Sequence, residues 1–136
     1  MVERFRSGSP YEATIGFSRA VRVGDRILVS GTAPVPPTGE AVAAGAGDQM
    51  RRCGEISAAA LTEAGASLEQ VVRTRMFITD PADADEIGAV HAELFAEAAP
   101  AATMVVVAAL LDPAWKVEIE VEAVLPERPS SLVPSS

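Results

Sequence analysis

From Val117 to Ala123 apolar and acidic residues alternate without interruption: Val117, Ile119, Val121 and Ala123 interleave with Glu118, Glu120 and Glu122. Successive side chains point to opposite sides in an extended strand, whereas a helix would scatter these glutamates around its axis. Residues 115–124 therefore read as a strand with one apolar and one acidic face. The apolar face belongs against a helical layer. The acidic face belongs to water, to a partner subunit, or to a site that uses a carboxylate.

Two further stretches bear on that choice. VVRTRMFIT (71–79) reads as a strand from its β-branched content, with Val72, Thr74, Met76 and Ile78 on one face and Arg73, Arg75 and Phe77 on the other. Within one sheet the arginines would stand among the glutamates on the helix-free side, where pairs of opposite charge contribute about 0.2–1 kcal/mol each. MVVVAALL (104–111) does not alternate and reads as a strand buried on both faces. Burial of the helix-free side requires another subunit, so an oligomer is expected.

The remaining elements follow from turn and cap signals. Residues 6–16 are polar and turn-rich and read as an irregular lead-in. Residues 18–31 read as two short strands around Gly24-Asp25, a hairpin signal. The stretch 32–47 is rich in proline and glycine and reads as a loop. Asp48 is placed to cap a helix to about Ala64, with Met50, Cys53, Ser57, Ala60 and Leu61 at helical spacing and Gly65 to end it. Asp80-Pro81 starts a second helix whose buried stripe is Ile87, His91, Leu94 and Phe95, stopping before Pro100. Strands near 102–110 and 116–124, joined at Asp112-Pro113, complete the order β-β-α-β-α-β-β. That order predicts a two-layer α+β domain over 1–126, with both helices on one face of a mixed sheet. The proline- and serine-rich residues 127–136 read as a disordered tail.

Composition excludes several classes. A formal charge of −8 argues against nucleic acid as a partner, because phosphate binding needs a basic surface. No stretch approaches the length of a membrane span and none resembles a signal peptide, so a cytoplasmic location is expected. A single cysteine, Cys53, leaves no internal disulfide, and a single histidine, His91, gives little support for a metal site. Cys53 and His91 both fall on apolar helical faces and read as packing residues.

The segments VGDRILVSGTAP, AGASLEQVVRTRMFITD, PAATMVVVAAL and KVEIEVEAV, in this order and spacing, resemble the Rid (YjgF) family of reactive-intermediate deaminases from Ile15 to Val124. The resemblance implies a chorismate-mutase-like α+β fold and a homotrimer with small-molecule ligands in the clefts between subunits. It also implies hydrolysis of enamines and imines with release of ammonia and with no metal or organic cofactor. A third activity sometimes attached to the family, RNA cleavage, sits poorly with the acidic charge.

Carried over residue by residue, the resemblance makes Glu118 the carboxylate that positions or activates water. It makes Ser30 and Gly31 the S-G pair lining the cleft, and puts Phe17 where the family has a tyrosine. Gly88 replaces an asparagine. Ala102, in PAAT, replaces the arginine that holds the substrate carboxylate, and Thr103 follows it. A charged hydrogen bond of that kind contributes about 1.5–3 kcal/mol, so its loss would weaken a small 2-iminoacid roughly ten- to a hundredfold. Arg75, or failing that Arg73, could supply the missing cation by strand parity. Two functions follow: a hydrolase with altered substrate anchoring, centred on Glu118, or a non-catalytic trimer that binds a small metabolite.

Overall fold

The computed structural model describes residues 1–126, and the tail expected over 127–136 lies outside them. Six strands form one mixed sheet: β1 (Val2–Phe5), β2 (Ala20–Val23), β3 (Arg26–Thr32), β4 (Val71–Ile78), β5 (Ala101–Val106) and β6 (Val117–Val124). Their order across the sheet is β1-β2-β3-β6-β4-β5; β4 and β5 run parallel and all other neighbours antiparallel. The two α-helices are α1 (Ala46–Ala64) and α2 (Ala84–Phe95). This is the predicted α+β architecture, with one strand more than the sequence suggested.

The alternation in β6 sorts as expected. Val117, Ile119, Val121 and Ala123 are buried under the helices with Ile27, Met76, Ile78, Met50, Leu61, Ile87 and Phe95, while the three glutamates stay half-exposed on the other face. Arg75 pairs with Glu120 at 3.4 Å, and Glu122 accepts from Arg73 and Arg26, each at 3.3 Å. Exposed on this scale, each such pair contributes only a fraction of a kcal/mol, roughly 0.2–1.

The hairpin turn is Gly24-Asp25, with Gly24 at φ 61°, a conformation open to glycine at the first central position of a tight turn. Helix α1 ends on Gly65 at φ 98°, whose N–H donates to the Thr62 carbonyl while that of Ala66 reaches Leu61.

Several expectations need correcting. Helix α1 starts at Ala46 with Gly45 as N-cap, not at Asp48, because Glu86 of α2 accepts the Gly47 N–H at 2.5 Å and satisfies the first turn from outside. Asp80 caps through the Ala82 N–H as foreseen, but a short 3₁₀ turn (Pro81–Asp83) comes before α2. Val72 is not on the core face: a bulge between Val71 and Arg73 turns it out to 48% exposure, and Val71 packs inward instead. Strand β1 precedes the lead-in and was not foreseen, and the lead-in itself forms a short wide helical turn at Glu12–Gly16.

The run MVVVAALL supplies strand only as far as Val106, and in the single chain it is not buried on both faces. β5 is an edge strand, and Val105 and Val106 are 41% and 53% exposed.

Candidate site around Glu118

A second bulge builds the site. Val29 pairs with Val121 and Thr32 with Ile119, so β3 has one residue more than β6 over this interval, and the extra place falls on Ser30-Gly31. The bulge presses the Gly31 backbone against β6: a Cβ built on Gly31 would lie 2.7 Å from Glu118 Oε2. Ser30 is held by its hydroxyl, which donates to the Ser18 carbonyl at 2.6 Å, and by its N–H, which donates to the Arg19 carbonyl. Thr32 Oγ1 donates to the Ser30 carbonyl at 2.8 Å, closing the bulge on itself.

Beside Glu118 stands a cation that no motif pointed to. Arg19 Nη1 donates to the Gly31 carbonyl at 3.1 Å and to Thr32 Oγ1 at 3.0 Å, and its guanidinium lies 5.6 Å from the centre of the Phe17 ring. Burial lowers the Arg19 pKa, opposed by the charges of Glu12 and Glu118, and a guanidinium remains protonated regardless. Glu12 is itself buried and accepts from the Ser7 N–H at 3.0 Å and from the Ser7 hydroxyl. Arg19 thus sits in the field of two carboxylates, one structural and one facing open space.

Glu118 is half-buried, and desolvation raises its pKa; Arg19 pulls it down and Glu120 pushes it up again. A carboxylate held in this way is a stronger base than a solvated one. Its influence reaches through the sheet to Cys53, whose thiol is pushed up to about 12 by burial and then by the Glu118 charge. Cys53 donates weakly to the Val117 carbonyl and stays an inert core residue.

Glu118, Glu120, Arg19, Phe17, Ser30 and Gly31 open onto one cleft of about 870 Å³. Its far walls come from the loop after β3 and from Trp115. Arg52 of α1 donates to the Val35 carbonyl at 2.6 Å and holds that loop in place. Buried Gln49 donates to the Ala43 and Ala114 carbonyls and accepts from the Lys116 N–H, fixing the segment that carries Trp115.

Of the residues expected at a site, Phe17, Ser30, Gly31 and Glu118 are brought together. Within a single chain Arg75, Ala102 and Thr103 do not line this cleft: Arg75 is engaged with Glu120, Ala102 pairs with Thr74 and Thr103 with Arg75, toward the β5 edge. Arg19 was missed, although the hairpin offers its signal. Counting outward from Gly24-Asp25 sets Arg19 across from Ser30, directly beside the S-G pair. Among the described residues no group of three or more His, Cys, Asp or Glu is placed to hold a metal ion, and no helix is long and apolar enough to cross a membrane.

Residues 8–125 match the family model described as Endoribonuclease L-PSP. An uncharacterized protein of Streptomyces coelicolor, SCO2049, is 38% identical over 125 residues, covering 90% of this chain and 91% of that protein. The crystal structure of Rv2704 from Mycobacterium tuberculosis, described as a member of the YjgF/YER057c/UK114 family, superposes with a TM-score of 0.85 at 38% identity, over 92% of this chain and all of that one. The structure of TdcF from E. coli with bound serine does so with a TM-score of 0.77 at 29% identity, over 90% and 94% of the two chains. With the family model and the closely similar fold in agreement, this chain belongs to the YjgF (Rid) family.

Proposed function

We propose that the protein hydrolyses an imine or enamine derived from an amino acid, using Glu118 as the base. The observation that carries this reading is the half-buried Glu118 carboxylate, of raised pKa, set against Gly31 and beside the Arg19 cation in an open cleft. Water attacks the iminium carbon while Glu118 takes one of its protons. The Glu118 proton then passes to the carbinolamine nitrogen, the C–N bond breaks with its electron pair leaving on ammonia, and Glu118 takes the hydroxyl proton as the carbonyl forms and hands it to ammonia. The balance is one iminium and one water giving one carbonyl compound and one ammonium, and no cofactor takes part. The structure of TdcF, a fold relative, holds bound serine, an amino acid whose carboxylate and amine suit a site that sets the Arg19 cation beside the Glu118 carboxylate.

The reading includes a homotrimer. The apolar, non-alternating residues of β5 lie exposed at the sheet edge in a single chain, and Val72 adds to them. Burying such a strand between copies would complete the cleft from a second subunit. Light scattering checks this, with an expected mass three times the 14.1 kDa of the chain.

The activity is tested by generating 2-imino acids with an amino-acid oxidase and following their decay with and without the protein. Acceleration by the native protein and its loss in Glu118→Ala are expected; no acceleration across a broad set of amino acids overturns the proposal. A second reading, binding of a small metabolite without turnover, is favoured by Ala102 standing where the family's clamp arginine belongs. It predicts thermal stabilisation by keto acids with no consumption of imines.

A further inference from the structure

We infer that the cleft selects amino-acid imines with large apolar side chains, and that Arg19 holds their carboxylate in place of the absent family arginine. This rests on the imine-hydrolase reading and names its substrate class.

Arg19 is fixed at one end and unused at the other. Nη1 is engaged by Gly31 and Thr32 and Nε is buried, whereas Nη2 makes no hydrogen bond among the described residues and is the nitrogen left for an anion. Holding a guanidinium rigidly before a ligand arrives removes much of the ordering cost of binding an anion. Arg75 is paired with Glu120 at the border of the cleft and does not itself line the cavity in a single chain.

Large apolar side chains line much of the remaining cleft, beside the polar Ser7, Ser9, Thr38 and Arg52. Tyr11, Ile15, Val35 and Leu111 are exposed by 48%, 62%, 48% and 77%, and all four line the cavity that contains Arg19 and Glu118. Ile56 and the buried Trp115 continue the same wall. Large side chains gathered around a cavity and left open to solvent mark a surface that something apolar covers. The adjacent cation and carboxylate specify its other end: an anionic group at Arg19 and a nitrogen near Glu118. The open cleft of a single chain, about 870 Å³, has room for an aromatic or branched side chain beyond what an alanine-derived imine fills.

The test measures binding of stable keto acids to the native full-length protein by calorimetry. The probes are phenylpyruvate, pyruvate and phenylacetone, which lacks the carboxylate. Phenylpyruvate is expected to bind at least about tenfold more tightly than pyruvate. Arg19→Gln should weaken both keto acids by roughly ten- to a hundredfold and leave phenylacetone unchanged. Ile15→Ala and Leu111→Ala, at exposed positions safe for the fold, should narrow the ratio between phenylpyruvate and pyruvate. Equal affinity for the two keto acids overturns the inference, and is the result expected if a second copy of the chain covers the apolar wall. Undiminished keto-acid binding by a folded Arg19→Gln protein also overturns it; should that variant not fold, the probe series on the native protein still decides. Tight, Arg19-dependent phenylpyruvate binding without imine turnover supports the ligand class and refutes the hydrolase. Imine turnover indifferent to side-chain size does the reverse.

Discussion

The Gly31 backbone lies so close beneath Glu118 that a methyl group on its Cα would stand 2.7 Å from Oε2 and 3.3 Å from Cδ of that side chain. The β-bulge at Ser30-Gly31 thereby fixes where the carboxylate can be. Gly31 has an ordinary negative φ, so alanine there would strain no backbone. The overlap falls on the far end of a flexible side chain, which can swing away. Gly31→Ala should therefore fold with nearly native stability and lose turnover, by about a hundredfold for a displacement near 1 Å. Melting curves and imine-decay rates measured on the same sample check the pair. Loss of stability equal to loss of activity would show that the close approach matters to folding rather than to the site.

Glu118 carries a pH signature with a definite sign. Burial raises its folded pKa above the ordinary carboxylate value, so its charged form weakens the fold. The penalty is full above the folded pKa and fades as pH falls toward the unfolded value near 4.3. Glu118→Gln should melt higher than the native protein at pH 7, and the gap should close toward pH 4.5. Its imine turnover should fall about 10²–10⁴-fold. In the native protein the acid limb of the rate profile should lie above that of a solvated glutamate. Differential melting at several pH values, beside the rates, provides the check.

How much of this could be read from the chain differs by element. β6 was legible because its alternation is perfect and its apolar face is buried by the chain's own helices. Val72 was misread because parity assumes an unbroken strand, and a bulge inserts one residue without leaving a mark in composition. β1 pairs only four residues at an edge, too short for its alternation to stand out. The start of α1 depends on Glu86, thirty-nine positions beyond the Gly47 it caps, and local cap rules do not look that far. For the site, motif comparison pointed to Glu118 and the S-G pair, which the fold sets side by side, and then sought a cation on β4 or β5. Arg19 lay outside the motif, and its place follows from turn geometry combined with a hydrogen bond to Thr32 that only the folded chain supplies.

Gln49 is the support on which the Trp115 wall depends. Fully buried, it donates to the Ala43 and Ala114 carbonyls at 2.8 and 2.9 Å and accepts from the Lys116 N–H at 2.7 Å. Gln49→Ala leaves three backbone groups without partners, each worth about 1–3 kcal/mol when buried. Water entering the space would recover part of that, so a loss of about 2–4 kcal/mol is expected by urea denaturation. Trp115 fluorescence should shift to the red as its segment loosens. An unchanged emission maximum together with native stability would contradict the role given to Gln49.

His91 links α2 to the sheet and should make the fold sensitive to mild acid. Its Nε2 lies 2.7 Å from Thr74 Oγ1, and its ring sits 4.8 Å from that of Phe95, packed between helix and strand. Burial depresses its pKa, so the unfolded chain takes up the proton first as pH falls. Stability is unaffected well above the unfolded value near 6.5, falls below it, and has lost the full contribution once pH is under the folded value. The melting temperature should drop in the native protein as pH falls below about 6.5. In His91→Gln, which keeps a polar partner for Thr74 and cannot titrate, that drop should disappear while the slower loss from carboxylate protonation remains. Parallel melting profiles for the two proteins across this window would mean that the imidazole already takes its proton in the folded state.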